Sequence, residues 1–289
     1  MHYGPPIKTG ATIKFWGVRG SIPTPGRSTV RYGGNTSCVE VRMGDDIIIL
    51  DAGTGLRLLG RSLLTEFKRR PLNLTLLISH THWDHIQGLP FFGPIYDSRC
   101  RLRILGGEGA RKSLVAALMG QMESSYFPVS FTDLPSNIEI EELREFNFAV
   151  GNTLVRAHRA NHPGFCVGYR LFSPEVIICF FPDAEPRPGV DEELIDFIRD
   201  ADVLILDSQY DRAEYRQHRG WGHGSVEASV KLALRARVRK LILFHHDPTH
   251  DDRIIDGFVR HARALVRQQG GKLKVEAARE GLTLELGAH

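Results

Sequence analysis

A cluster of three histidines and one aspartate follows an apolar segment in the first third of the chain. Residues 74–78 are rich in Leu and Ile, and the next letters read His-Thr-His-Trp-Asp-His. The apolar run predicts a buried strand, so the cluster falls on the loop at the strand's C-terminal end, where active sites of α/β sheets collect. Alternate residues of an extended segment point the same way, so His80 and His82 can bind one ion while Asp84 and His85 face elsewhere. One short loop can therefore serve two metal ions, which in hydrolytic sites lie ~3.5–4 Å apart.

Strand-like and helix-like segments alternate along the rest of the chain. Three short apolar strands precede a helix predicted for 56–67, and another helix is predicted near 111–119. A strand predicted for 139–148 is expected to pair with the strand after it through a turn at Gly151, and the final helix is predicted for 251–268. This alternation is typical of the α/β class, with helices on the outside of the sheets.

The pattern His-x-His-x-Asp-His after a hydrophobic strand resembles the signature of the metallo-β-lactamase-fold hydrolases. The resemblance covers nearly the whole chain and implies a four-layer αββα sandwich of two pseudo-equivalent halves. No linker divides the chain, so residues 1–289 are expected to form a single domain. Asp51 follows an early apolar strand in Asp-Ala-Gly, where the family usually has a carboxylate that supports the metal ligands. Capping the helix that begins near Leu56 is the alternative, compatible role for Asp51.

Three further ligands are implied by the resemblance, and each follows an apolar strand in the second half. His162 is expected to join His80 and His82, whereas His158 lies inside its strand and is interpreted as a packed or surface residue. An aspartate after a strand of Val, Ile and Phe resembles the family's bridging carboxylate, although Pro precedes it here where the family usually has Gly. Of two adjacent histidines, the resemblance favours His245 over His246. It thus implies seven ligands for two ions, namely His80, His82, Asp84, His85, His162, Asp183 and His245.

A site of this composition has a definite chemistry. Mixed His and carboxylate donors accept Zn²⁺ readily, which makes Zn²⁺ the first expectation, and Mn²⁺ or Fe²⁺ can take its place. Two divalent ions with two carboxylates and a hydroxide retain positive charge and attract anions. Metal ions lower the pKa of bound water to ~7 and so supply a hydroxide nucleophile, which Asp84 is expected to orient. Phosphodiesters suit such a centre.

Departure of an alkoxide from phosphorus requires a proton, and a donor is present. The segment Gly-His-Gly-Ser around His223 resembles the Gly-His-Ser-Thr segment of tRNase Z-like phosphodiesterases. Asp207 ends another apolar strand where those enzymes have an acidic partner. A nearby anion raises a histidine pKa, so Asp207 is expected to keep His223 protonated as the general acid. The alternative is that both residues only cap a helix and form loop hydrogen bonds.

The sequence favours a small phosphodiester substrate, with a cyclic nucleotide or nucleoside cyclic phosphate first. Residues 15–21 and 33–37 resemble bacterial cyclic-nucleotide and phosphonate-pathway phosphodiesterases, and no counterpart of the long tRNA-gripping arm of tRNase Z is apparent. Arg19 is a candidate phosphate contact, and Tyr126, Phe127 or Trp221 could stack on a base. A nuclease or tRNA 3′-processing endonuclease is the main alternative. An acyl hydrolase, or a metal-bearing binding domain without catalysis, is the second.

Composition adds few constraints. The formal net charge is only +3, which does not by itself indicate a nucleic-acid-binding protein. Four cysteines form no CxxC pair and are expected to be reduced and buried, and no signal peptide or long apolar span is apparent. We therefore expect a cytoplasmic protein without a membrane segment. A homodimer is also expected, with residues 210–221 as a candidate interface.

Overall fold

Two seven-stranded β-sheets face each other in this computed structural model, which describes residues 10–107, 113–186 and 191–287. The strands of the described residues are β1 (Ala11–Gly17), β2 (Cys38–Met43), β3 (Asp46–Leu50), β4 (Leu72–Ile78), β5 (Cys100–Gly106), β6 (Asn137–Glu142), β7 (Asn147–Val150), β8 (Thr153–Arg159), β9 (Val167–Phe172), β10 (Ile177–Phe181), β11 (Val203–Asp207), β12 (Lys240–Phe244), β13 (Lys274–Ala277) and β14 (Thr283–Leu286). The first sheet has the order β14-β1-β2-β3-β4-β5-β6, and the second has the order β13-β12-β11-β10-β9-β8-β7.

The two sheets repeat one pattern of strand directions. In the first sheet, β1 to β3 pair antiparallel, and β3 to β6 pair parallel. In the second, β7 to β10 pair antiparallel, and β10 to β13 pair parallel. The last strand, β14, returns to the first sheet and pairs antiparallel with β1. The pseudo-equivalent halves expected from the sequence are confirmed.

Helices cover the outer face of each sheet and produce four layers. The helices are α1 (Leu56–Phe67), α2 (Trp83–Ile86), α3 (Leu114–Gly120), α4 (Glu192–Phe197), α5 (Arg212–Gln217), α6 (Val226–Arg235) and α7 (Asp252–Gln268), with short 3₁₀ helices at Leu89–Phe91, Gly93–Tyr96 and Phe131–Asp133. One apolar core joins the inner faces of the sheets, a second packs α1 and α3 on the first sheet, and a third packs α4, α6 and α7 on the second. This is the predicted αββα sandwich.

The prediction of one continuous strand over residues 139–148 is wrong. The segment is divided into β6, at an edge of the first sheet, and β7, at an edge of the second, so the chain crosses between sheets within it. Residues 143–146 lie between these strands and contain Arg144 and Glu145. In the helix predicted near 111–119, residues 111 and 112 lie outside the described residues, and α3 begins at Leu114.

The C-terminal ends of the central parallel strands meet at one edge of the sandwich. In the first sheet, β3 is followed by Asp51 and β4 by Ser79 and His80. In the second sheet, β10 is followed closely by Asp183 and β12 by His245. Polar side chains from both sheets are therefore collected in one place. No helix among the described residues has the length and apolar character needed to cross a membrane.

A buried hydrogen bond joins the two sheets next to this edge. Tyr169 of β9 is fully buried, and its hydroxyl donates to the backbone carbonyl of Ile78, at the end of β4, over 2.6 Å. Removal of the hydroxyl leaves a buried carbonyl without this partner. We expect Tyr169→Phe to lower the free energy of unfolding in urea by about 1–2 kcal/mol.

Tyr96→Phe is the matched control. The Tyr96 hydroxyl also donates to a backbone carbonyl, that of Pro90, but Tyr96 is 40% exposed, so water can replace it. The expected change is below about 0.5 kcal/mol. Equal effects of the two substitutions would contradict the importance of the inter-sheet bond.

Candidate metal centre

Three imidazoles and a carboxylate form the first of two groups of ligand atoms. His80, His82, His162 and Asp183 each place one ligand atom within 4.8 Å of the others. His162 Nε2 lies 3.4 Å from His82 Nδ1, and His80 Nε2 lies 3.7 Å from Asp183 Oδ2. His80 and Asp183 are buried, whereas His82 is exposed. The group is therefore open to solvent on one side.

The second group adjoins the first and shares Asp183 with it. Asp84, His85 and His245 bring their ligand atoms together, and all three side chains are buried. Asp183 Oδ1 lies 3.1 Å from His85 Nε2 and 3.2 Å from His245 Nε2, while its other oxygen faces His80. Each oxygen of Asp183 thus faces a different group.

Several of these buried polar atoms have no hydrogen-bond partner, namely His80 Nε2, His85 Nε2 and Asp183 Oδ1. His85 Nε2 lies 3.1 Å from oxygens of Asp84 and Asp183, but the alignment does not make a hydrogen bond. Buried polar atoms without partners are rare because their desolvation is costly. Their convergence here, with a carboxylate between two sets of imidazoles, fits a dinuclear metal site.

The protonation states also suit cations. Burial lowers the pKa of all three imidazoles in the first group, so they are neutral at pH 7, the form in which a nitrogen binds a metal. Burial opposes the ionisation of Asp84, yet His85 and His245 hold the pKa of Asp84 well below its usual value. Burial likewise opposes a charge on His85, but Asp84 and Asp183 raise the pKa of His85. The pocket therefore attracts positive charge.

Asp51 holds His85 in place from behind. It is fully buried, and its Oδ2 accepts a hydrogen bond from His85 Nδ1 over 2.7 Å and one from the Ser37 hydroxyl over 2.9 Å. The backbone N–H of Ser79 donates to Asp51 Oδ1 over 2.8 Å. The helix that follows has Gly55 at its N-cap without a side-chain hydrogen bond, so Asp51 does not cap it. The carboxylate aims His85 Nε2 at the centre.

Of the two adjacent histidines after β12, only His245 faces the cluster. Its Nδ1 lies 3.0 Å from Gln209 Oε1, and its Nε2 lies 3.1 Å from Asp84 Oδ2. His246 points away and donates from Nε2 to the carbonyl of Ala278 over 2.9 Å. Sequence reasoning missed Gln209, which orients the His245 ring. Its only signal was a polar residue two positions after the apolar strand β11.

His223 and Asp207 form a pair beside the two groups. His223 Nδ1 lies 2.8 Å from Asp207 Oδ2, and the His223 ring stacks on that of His245 with centroids 4.9 Å apart. Burial opposes a charge on His223, but Asp207 overcomes it and raises the pKa of His223 to about 9. Asp207 is fully buried and also accepts from the N–H groups of Ala184 and Gln209. His223 can thus carry a proton at the edge of the centre.

A second carboxylate that sequence reasoning missed holds the His223 loop. Buried Glu185 accepts hydrogen bonds from the N–H groups of Gly220 and Gly222, at 3.0 and 3.1 Å, and from the Tyr215 hydroxyl at 2.9 Å. Gly222 has a φ of 90°, and a Cβ there would lie 2.1 Å from His162 Nδ1. Glycine is therefore required where this loop passes the first group. Nothing in the local sequence distinguished Glu185 from a surface glutamate.

Arg19 does not reach the centre. Its fully buried side chain donates to the carbonyls of Gly33, Asp247 and His250, so it joins two loops instead of presenting a phosphate contact. His158, interpreted as packed or surface, stacks on Phe197 with ring centroids 4.9 Å apart.

Replacing Asp51 tests the support of His85. We expect Asp51→Asn to weaken Zn²⁺ binding about 10–100-fold, because the amide loses the charge that fixes the His85 tautomer. Competition with a chromophoric chelator measures the affinity. Asp46→Asn is the control. Asp46 is the first residue of β3, at the end of the strand away from Asp51, and it accepts a hydrogen bond from the backbone N–H of Thr153. Equal affinity losses in both variants would contradict the role of Asp51.

Comparison with known proteins places this arrangement in a family. The model of the β-lactamase superfamily domain matches residues 47–246, which is more than half of the chain. The ribonuclease Z of Thermoplasma acidophilum is 24% identical over 292 residues, covering 83% of this chain and 87% of that protein.

Solved structures with the same fold agree with this match. The metallo-β-lactamase fold protein YhfI from Bacillus subtilis has a TM-score of 0.70 at 18% identity, over 96% of this chain and 100% of that one. The short form of human tRNase Z has a TM-score of 0.66 at 19% identity, over 94% of this chain and 98% of that one. The extent of the family match and the shared αββα fold show that the chain belongs to the β-lactamase superfamily.

Proposed function

We propose that this metal-dependent hydrolase cleaves phosphodiester bonds at the two groups of ligand atoms. The observation that supports this most is the position of the His223–Asp207 pair beside residues that fit a dinuclear metal site. In this proposal three imidazoles would hold one cation, Asp84 and two further imidazoles would hold a second, and Asp183 would serve both. The full set of ligands is His80, His82, Asp84, His85, His162, Asp183 and His245.

When bound, two divalent cations would polarise an oxygen of the scissile phosphate and lower the pKa of water to ~7. Zn²⁺ is the cation we propose, because imidazole-rich donor sets bind it readily, with Mn²⁺ and Fe²⁺ as alternatives. Neutral His80, His82 and His162 suit any of them.

Asp84 is proposed to position the attacking water. Its Oδ2 accepts a hydrogen bond from the backbone N–H of Ser21 over 2.7 Å and lies 3.1 Å from His245 Nε2. The bond from Ser21 orients the carboxylate, and Oδ1 is proposed to accept a hydrogen bond from water. A water held there lies close to both groups, because Asp84 adjoins Asp183 through His85 and His245.

His223 is proposed to donate the proton that the leaving alkoxide requires. Asp207 accepts from His223 Nδ1, which leaves Nε2 as the nitrogen that can protonate a leaving oxygen. The raised pKa of His223 keeps that proton in place at neutral pH. Glu185 fixes the loop on which the donor lies. Neither a thioester hydrolase, whose thiolate can leave unprotonated, nor a binding domain without catalysis requires this pair.

Two sizes of substrate remain candidates for the same bond. A small phosphodiester such as a cyclic nucleotide was the first expectation from the sequence. In support of it, the chain between His162 and Asp183 forms the short β9–β10 hairpin and no long arm that could hold a nucleic acid. The relatedness to a ribonuclease Z favours a nucleic-acid strand. The expected homodimer stays a prediction, which light scattering in solution can test.

Replacement of His223, the proposed acid, should affect the hydrolysis of substrates with different leaving groups to different extents. We expect His223→Ala to slow hydrolysis of a phosphodiester with an alcohol leaving group by about 10²–10⁴-fold, because the alkoxide then leaves unprotonated. Hydrolysis of bis(p-nitrophenyl) phosphate should fall by less than about tenfold, since p-nitrophenolate leaves without a proton. Steady-state kcat for both substrates measures the difference.

His261→Ala is the control, because His261 is an exposed residue of α7 that pairs with Glu227. It should leave both rates unchanged. Equal losses on both substrates in His223→Ala would contradict the acid role, and no turnover of any phosphodiester by metal-loaded wild type would contradict the proposed function.

A further inference from the structure

A basic groove lies beside the loop that carries His223. It has a volume of about 520 Å³ and lies between α5 and α6. The carboxylates among its described lining residues are Asp191 and Glu227, and Glu227 is already engaged by His261. The cations that line it are Arg212, Arg216, Arg219, Lys231 and Arg235.

Most of these cations are not neutralised within the described part of the chain. Arg212, Arg216, Arg219 and Lys231 are exposed and form no ion pair with a described carboxylate, while Arg235 pairs with Glu192. The basic surface at the opposite edge of the second sheet differs. There Arg237, Arg239 and Lys240 pair with Asp200, Asp202 and Glu276, and only Lys272 and Lys274 of the described cations lining that surface form no ion pair with a described carboxylate. The groove beside the metal centre therefore has the larger number of unpaired cations.

The spacing of the cations is unfavourable in the protein alone. Arg212 and Arg216 are four residues apart on α5, and Lys231 and Arg235 are four residues apart on α6. Like charges at this spacing repel each other on a helix surface. Both pairs line the same groove, and only Arg235 has a described carboxylate partner, Glu192. A bound polyanion would therefore relieve the repulsion that remains among these cations.

The groove begins next to the proposed acid. Ser225, two residues after His223, lines it, and so does Pro186, three residues after Asp183. Pro186 packs so near Gly224 that a Cβ on this glycine would lie 3.0 Å from the proline ring. Trp221, on the same loop, is 61% exposed. His223 and Trp221 thus lie two and four residues before Ser225, which lines the groove.

The dimensions suit several nucleotides. The ten residues of α6 extend over about 15 Å, because an α-helix rises about 1.5 Å per residue. Phosphates of one strand of a double helix lie about 3.4 Å apart along the axis, so the groove is long enough for at most about four phosphates of a stacked strand and for fewer of an extended one.

We propose that this groove binds the phosphate backbone of a single-stranded nucleic acid next to the scissile phosphodiester, and that Trp221 stacks on one of its bases. The inference rests on the proposed function, because it places the remainder of a substrate whose scissile bond lies at the metal centre. Cation and stacking contacts of this kind recognise backbone and base faces without requiring a particular sequence.

The test measures binding and turnover separately. Zn²⁺-loaded His223→Ala protein, in which cleavage of the probe should be slow, is titrated against short labelled single-stranded RNA and DNA at about 50 to 200 mM salt, with fluorescence anisotropy as the readout. The groove variant adds Arg212→Ala and Lys231→Ala. Arg212 is the first residue of α5, where a cation opposes the helix dipole, so its loss should not destabilise the helix.

A matched control removes the same charge at the opposite edge of the sheet through Lys272→Ala and Lys274→Ala, two exposed lysines. The groove variant should bind about tenfold more weakly at low salt, and its salt slope should fall by about 1.4, or about 0.7 per lost phosphate contact. The control should bind within about twofold of the parent. The probe that binds more tightly, RNA or DNA, identifies which type of nucleic acid the groove prefers.

Equal weakening of groove and control variants, or no binding of either strand by the parent at low salt, would overturn the groove proposal. The same double substitutions in an otherwise wild-type chain are assayed with bis(p-nitrophenyl) phosphate. Turnover of that small substrate by the wild-type chain, together with no strand binding by the parent protein, would reject the groove and leave the proposed function standing. Strand binding through the groove without any phosphodiester turnover would reject the function instead.

Discussion

Burial of three carboxylates at one point of an apolar sandwich is the constraint on which this structure depends. Asp51, Asp84 and Asp183 are all buried, and their charges converge on His85. Several charges of one sign at one buried point repel each other, and they are stable there when hydrogen-bond donors and positive charge compensate them. The two sheets deliver these groups from different halves of the chain, so positive charge at the centre also stabilises the contact between the halves.

The acid–base pair and the groove follow from the same architecture. Parallel strands of both sheets end at one edge, and β11 places Asp207 beside the ligands that follow β10 and β12. The loop after α5 then brings His223 over His245, and Glu185 holds that loop. Since α5 and α6 flank this loop, the cations on them line the groove that is proposed to hold a substrate strand.

Much of the centre could be predicted because its residues follow apolar strands in short, dense motifs. His80 to His85 and Asp207 are examples, and the helix predicted for 56–67 matches α1. Glu185 and Gln209 could not be predicted, because their roles depend on backbone N–H groups and an imidazole that come from distant segments. The division of 139–148 into β6 and β7 was missed because local pattern does not specify which sheet an edge strand joins.

The most direct test of the central claim is anomalous diffraction at the zinc edge from crystals of the Zn²⁺-loaded protein. The account predicts two peaks about 3.5–4 Å apart, one on each side of Asp183, with His80, His82 and His162 around one and His85 and His245 around the other. A single peak, or peaks only at surface histidines such as His261, would contradict a dinuclear centre.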